Sequence, residues 1–144
     1  MSIPSNSKIL VSDVMMSHGQ FPVINKTILL KEALEEMEKH RLGIVCIVDN
    51  EHKLCGILTD GDIRRKLLKV QKPFSAFFVD DAAIHSISKP VCCKANDSLY
   101  TIISIMGEKK IWDLPVIDND RKLLGLLHLH PAVKALIEKL EENT

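Results

Sequence analysis

No excess of either charge marks this sequence: 19 acidic residues stand against 19 basic ones, mixed along 144 positions. Without a basic stripe there is no electrostatic footprint for nucleic acid or for an anionic membrane, so neither is expected as a partner. Nowhere do about 18 apolar residues run together, as a membrane-spanning helix requires. The opening stretch MSIPSNSKIL has no charged region leading into a long apolar run. A cytoplasmic location is the expectation. No C-x-x-C spacing occurs among the four cysteines. Cys46 and Cys55 lie in apolar, strand-like runs and read as small buried hydrophobes, while adjacent Cys92 and Cys93 point to opposite faces of an extended chain. That pattern supports neither a metal site nor a redox pair. A nucleophile beside a base, paired catalytic carboxylates and a Walker-type glycine loop are also absent, so no catalytic residue is assigned and no cofactor is required.

What the chain does have is apolar content, at 46%, and an internal repeat. Its length suits one compact domain or two small fused halves. Displaced by 69 residues, CIVDNEHKLCGILTDGDIRRKLL falls on PVIDNDRKLLGLLHLHPAVKALI, and Asp49, Asn50, Lys53, Leu54, Gly56, Leu58 and Leu67 meet identical residues. Upstream, Leu30, Ala33, Leu34 and Met37 fall on Leu99, Ile102, Ile103 and Met106. Both sets have the i, i+3, i+4, i+7 spacing of one amphipathic helix stripe. Thr27 and Asn96 precede the stripes as candidate N-caps.

Each half therefore predicts a β-α-β-β-α order. The first half reads as strand Pro22 to Ile24, helix Leu29 to His40, strands Ile44 to Asp49 and Leu54 to Leu58, and a helix from Asp62 to about Val70. The second reads as strand Pro90 to Cys92, helix Leu99 to Lys109, strands Leu114 to Asp118 and Leu123 to Leu127, and helix Pro131 to Leu140. The turn-forming run DNEHK between the later strands predicts a hairpin. VQKPFSAFFVDDAAIHSISKP between the halves carries three of the four phenylalanines and reads as a packed connector. The expected organisation is repeat 1 over 9–70, a connector over 71–89 and repeat 2 over 90–140, with a leading segment from near 82. The fold class is α/β (α+β), with small sheets packed face to face.

Chemistry concentrates in GILTDGDIRR, where a strand meets a helix start. Backbone N–H groups and the helix dipole at such a junction accept an anion. The Thr59 hydroxyl adds a donor, and the Asp62 carboxylate can accept two neighbouring hydroxyls such as a ribose diol. Gly61 permits close backbone approach. The same Thr59 and Asp62, three apart, also satisfy a capping box. Arg65 is a candidate to reach back to a phosphate. In the second half His128, His130 and Pro131 stand where Thr59, Gly61 and Asp62 stand in the first, so a ribose acceptor is missing there. Continued strand alternation would turn both imidazoles to one side. Two histidines are too few for a metal, and none is assigned.

Gly56-Ile57-Leu58-Thr59-Asp60-Gly61-Asp62 matches a glycine, two apolar residues, Thr or Ser, two variable residues and Asp. Together with the repeat, that pattern resembles a tandem pair of cystathionine-β-synthase (CBS) domains, the Bateman module. TDGDIRR with GLLHLH is similar to the regulatory tail of bacterial arabinose-5-phosphate isomerases, whose catalytic domain is absent from these residues; TDGDIRR also resembles CBS pairs attached to sugar nucleotidyltransferases. The resemblance implies a cleft between the repeats in which Ile57, Thr59, Gly61, Asp62 and Arg65 are joined by Ser86, Pro90, Ile111, Trp112 and Asp113. Trp112, a departure from the small residue common there, either stacks on the ligand or fills the pocket. A second, altered site would gather His128 and His130 with Leu42, Gly43 and Ile44, as phosphate or sugar contacts. The implied ligand is AMP, ADP, ATP or a nucleotide sugar. The implied role is regulatory and non-enzymatic, in a homodimer, acting on a sugar-phosphate isomerase or sugar nucleotidyltransferase partner. The alternative is a dimerisation or interaction module with vestigial sites, using Leu67, Leu136, Ile137 and Leu140.

Overall fold

The computed structural model describes residues 8–142, and residues 1–7 of the opening stretch read above for a leader lie outside them. The chain forms two compact units. One is His18–Pro90 with Asp120–Leu123; the other holds the described residues of Met1–Ser17, Val91–Asn119 and Leu124–Thr144. Residues 9–17, assigned from sequence to the first repeat, thus pack with the second repeat.

The unit of the first repeat contains β1 (Val23–Asn25), α1 (Leu30–His40), β2 (Ile44–Val48), β3 (Leu54–Thr59), α2 (Asp60–Lys69), a short α3 (Phe74–Phe78) and a 3-10 turn at Ala82–His85. Its sheet has the order β1-β2-β3, with β1 parallel and β2–β3 antiparallel, so DNEHK is the hairpin turn its composition predicts. Every residue of β2 is buried, which suits its unbroken apolar run IVCIV. Leu30, Ala33 and Met37 on one face of α1 join Val45, Ile47 and Leu58 in the core, as the stripe predicts. Of the connector's phenylalanines only Phe77 is in that core; Phe74 and Phe78 are exposed. Cys55 is half-buried, less enclosed than its apolar run suggests.

The other unit contains a 3-10 turn at Val11–Asp13, α4 (Leu99–Lys109), β4 (Asp113–Ile117), β5 (Leu123–His128) and α5 (Leu129–Glu142), with β4 and β5 paired. Leu99, Ile102 and Met106 pack with Val11, Leu114, Val116, Leu127 and Ala132. The strand expected at Pro90–Cys92 is reduced to one bridge, Cys93 with Val116. Proline explains the loss. In the first repeat the Cys46 N–H donates to Pro22 O at 3.0 Å. The residue 69 positions on is Pro115, which has no N–H to give.

Helix starts differ from the sequence reading for a tertiary reason. Thr27 and Asn96 are not caps; the N-cap positions are Leu29 and Ser98, and neither caps through its side chain. Thr27 instead closes a turn, its N–H and hydroxyl donating to Asn25 Oδ1. The first α1 amide, Leu30 N–H, donates to Asp80 O at 2.8 Å, and the first α4 amide, Leu99 N–H, donates to Ile9 O at 2.9 Å. A passing backbone thus accepts what a cap side chain would have taken. Left-handed residues recur in register as well: Arg41 and Lys110 end α1 and α4, and His52 and Arg121 sit in the two hairpin turns.

Gly56 and Gly125 share one constraint. Ile57 exchanges backbone hydrogen bonds with Ile87, and Leu126 does so with Met16. A Cβ at Gly56 would stand 2.7 Å from Ser86 Oγ and 2.8 Å from Ile87 O; at Gly125 it would stand 2.6 Å from Met16 O. Gly56→Ala is therefore expected to destabilise by about 1–3 kcal/mol. Gly107→Ala, in α4 with nothing within 4 Å of its Cβ, should stabilise by about 0.4–1 kcal/mol. Urea unfolding of both variants checks the pair, and equal effects would contradict this reading.

Candidate functional site

The Thr59–Asp62 junction closes on itself. Asp62 N–H donates to Thr59 Oγ1 at 3.2 Å, while Thr59 N–H and its hydroxyl donate to Asp62 Oδ2 at 3.1 and 2.8 Å. This is the capping box anticipated by the spacing, and it starts α2 at Asp60, two residues earlier than expected. Asp60 N–H donates to Gly43 O at 3.0 Å. The N–H groups that would receive an anion are thus largely occupied, in contrast to the open set implied by sequence. Arg65 does not project to a vacant phosphate position; its Nη2 donates to Asp62 Oδ1 at 2.8 Å. The Asp62 side chain is 12% exposed and that of Arg65 58%.

A cavity of about 240 Å³ opens beside this junction, lined by Asp62, Arg65, Lys66, Lys69, Val70, His85, Ser86 and Ile87. Asp62, Arg65 and Ser86 of the sequence-predicted site therefore meet there. Ile57 stands behind it through its bridge to Ile87, and Gly61 is one turn from the Arg65 guanidinium. Thr59 holds Asp62 from the helix start, and Pro90 is not among the lining residues. Lys66, Lys69, Val70, His85 and Ile87 were not singled out from sequence. The lysines had a signal: positions four and seven after Asp62 fall on its face of a helix.

The remaining candidates, Ile111, Trp112 and Asp113, belong to the other unit. Trp112 is 70% exposed, so it does not fill its unit's core, and its carbonyl accepts the Leu129 N–H at 2.9 Å. Asp113 is paired: His128 Nδ1 lies 2.7 Å from its Oδ1. This was missed, though the repeat offers it. Ile44 and Thr59 are register partners in β2 and β3, and the residues 69 positions on are Asp113 and His128. His130 does not share a strand face with His128. The strand ends at His128, α5 begins at Leu129, and His130 is exposed on that helix. Leu42, Gly43 and Ile44 lie in the unit of the first repeat. Gly43 is the close-approach position there, since a Cβ would stand 2.7 Å from Asp60 Oδ2.

Among the described residues no group of three or more His, Cys, Asp or Glu is placed to hold a metal, and no helix is long and apolar enough to cross a membrane. Burial pushes the Cys93 thiol up to about 12, the behaviour of an inert core cysteine. Burial also raises the Asp113 carboxyl above its ordinary 3.8, opposed by the His128 hydrogen bond.

A sequence model of the CBS domain matches residues 11–69 and 81–138. Arabinose 5-phosphate isomerase KdsD of Salmonella typhi is 30% identical over 127 residues, which cover 87% of this chain and 37% of that enzyme. The chain spans only about a third of the length of such curated relatives. Among solved structures, CBSX2 in complex with AMP aligns with a TM-score of 0.78 at 23% identity, over 90% of this chain and 96% of that one. The CBS domain pair of MJ0100, in complex with 5′-methylthioadenosine and S-adenosyl-L-methionine, aligns with a TM-score of 0.72 at 21% identity, over 91% of this chain and 97% of that one.

The raised Asp113 pKa has a sign. Between 3.8 and the folded value the native state binds more protons than the unfolded chain, so stability falls as pH rises through that window. Asp113→Asn removes the titration while keeping an acceptor for His128. It is expected to leave Tm at pH 7 unchanged or higher and to flatten this decline, measured by thermal melts across pH 3.5 to 7. A drop of several degrees at pH 7 would show that the Asp113 carboxylate and its hydrogen bond to His128 are net stabilising.

Proposed function

Because this chain belongs to the CBS domain family, of which it carries two repeats, we propose that it is a non-catalytic regulatory module sensing an adenine nucleotide or nucleotide sugar at Thr59 and Asp62. The observation that carries the reading is Asp62, a mostly buried carboxylate held rigidly at the wall of a cavity. A carboxylate offers about four lone-pair sites. Thr59 takes two of them through Oδ2 and Arg65 one through Oδ1. A ribose diol needs two, so binding displaces Arg65. The cost is small, because a pair in which Arg65 is mostly exposed contributes about 0.2–1 kcal/mol. The freed guanidinium is then a forked donor for the ligand's phosphate.

AMP, 5′-methylthioadenosine and S-adenosyl-L-methionine, the compounds in the two neighbouring structures, all carry an adenosine, and the first two share an unmodified ribose diol with the third. That common group is what Asp62 is suited to accept. The similarity to KdsD favours a sugar-phosphate isomerase as the regulated enzyme; a sugar nucleotidyltransferase as that enzyme, and a homodimer as the working state, are carried only by the resemblance read in the sequence. Such a ligand regulates only through a difference in affinity between two states of the assembly.

One observation favours a second reading, an interaction module with vestigial sites. The capping box satisfies Thr59 and most of Asp62 internally, leaving a stable helix start without any ligand. Thermal unfolding separates the two. A nucleotide at a hundred times its Kd should stabilise by about 2.7 kcal/mol, raising Tm by about 5–10 °C. Asp62→Asn, which keeps the cap but removes an acceptor oxygen, should abolish the rise. No movement with AMP, ADP, ATP or nucleotide sugars would favour the interaction module.

A further inference from the structure

The zero net charge of the whole chain conceals a local excess. Between Ile63 and Val79 stand five cations, Arg64, Arg65, Lys66, Lys69 and Lys72, and no acid. Arg65 is engaged by Asp62 and Lys72 by Asp80, whereas Arg64 and Lys69 have no ion-pair partner among the described residues. Both are exposed on α2, and Leu68 between them is 80% exposed. Leu67, which the sequence offered for an interaction surface, packs against the core of its unit instead. Neither Arg64 nor Leu68 lines the cavity beside Asp62, so this face is separate from the ligand site.

The second repeat carries the opposite charge at the matching place. Ile137, 69 positions after Leu68, is 50% exposed on α5. The residues that follow it include Glu138, Glu141 and Glu142 against one cation, Lys139, which already pairs with Glu142 at 3.4 Å. Glu138 has no ion-pair partner among the described residues. Arg64, Arg65, Leu68 and Lys69 thus form one exposed stripe of α2, and Lys134, Ile137, Glu138 and Glu141 one exposed stripe of α5.

We infer that these stripes are the two halves of one self-association surface: α2 of one copy packs antiparallel on α5 of a second copy, with Leu68 against Ile137. Charge selects the pairing. α2 on α2 would set Arg64, Arg65 and Lys69 against themselves, and α5 on α5 would do the same with Glu138 and Glu141, so like helices repel and unlike helices meet. Charge also selects the direction. Side by side in parallel, with Leu68 level with Ile137, the helices would bring Arg65 level with Lys134, three residues earlier in each. Antiparallel, Arg64 stands opposite Glu141, and Lys134 falls beyond Lys69, the last residue of α2. The inference rests on the homodimer part of the reading above and makes no use of a ligand at Asp62.

Sedimentation velocity of the full chain over a range of concentrations tests it. Wild type is expected to dimerise, and Arg64→Glu, or Glu138→Lys with Glu141→Lys, to raise the dissociation constant by about tenfold or more. A chain carrying all three substitutions has opposite charges facing again and is expected to regain dimerisation, a recovery that misfolding cannot produce. Circular dichroism confirms that each variant is folded. Leu68→Cys and Ile137→Cys, made in separate, differently tagged chains and mixed, should be joined by a short bismaleimide above the background that the native cysteines give in wild type, while Leu68→Cys alone should not be joined to itself. A wild type that stays monomeric, a dimer indifferent to the charge reversals, or joining of Leu68→Cys to itself overturns the inference. A monomer that still gains Tm with AMP or ATP loses the α2–α5 contact and keeps the nucleotide reading. A dimer that depends on these charges yet responds to no nucleotide keeps the contact and loses that reading.

Discussion

The ligand site proposed for this molecule turns on the carboxylate of Asp62 and the company it keeps. One oxygen is fixed by the Thr59 amide and hydroxyl, the other by the Arg65 guanidinium. The first set is local, three residues away and part of a helix cap, so it survives any event that leaves α2 intact. The second is a flexible, mostly exposed arm that can leave at little cost. In the proposed reading a single side chain serves two purposes: it secures the helix start with one oxygen, and the other, now held by Arg65, is the one a ligand would take. Structural and ligand-binding readings of Thr59 and Asp62 are compatible because they use different lone pairs.

The same logic explains the contrast between the repeats. In the first, Ile44 faces Thr59 and the helix that follows begins with acids. In the second, the corresponding pair is Asp113 and His128, and the first turn of α5 contains no acid. Proline at 131 removes the carboxylate altogether. Two copies of one backbone plan therefore carry different chemistry at matching positions: a hydroxyl with a carboxylate in one, an imidazole buttressed by a carboxylate in the other. Both repeats have glycine at the close-approach position, Gly56 and Gly125, because backbone passes too close at each for a side chain.

Much of this was legible in the sequence, and the exceptions have identifiable causes. The helix stripes from Leu30 and Leu99 and the hairpin at DNEHK follow from local periodicity and turn chemistry, which act over a few residues. Thr27 and Asn96 misled as caps because distant carbonyls, Asp80 and Ile9, receive the first amides. The strand at Pro90–Cys92 failed for want of one donor at Pro115, a residue of another strand. At the site, the capping box was written in the Thr59–Asp62 spacing, but the destination of Arg65 was not, since a flexible arm can reach either way. The Asp113–His128 pair was recoverable by carrying the strand register across the repeat. His85 was not, because only folding brings the connector beside α2.

The central claim is that Asp62 exchanges Arg65 for a ligand diol while its cap to Thr59 persists. Nuclear magnetic resonance of the ¹⁵N-labelled chain titrated with ATP tests this most directly. The account predicts concentration-dependent shifts centred on the Gly61, Asp62 and Arg65 amides and the Arg65 Nε–H, with α2 still protected from hydrogen exchange. Shifts confined to residues outside α2, or loss of protection at the start of α2 on binding, would contradict it.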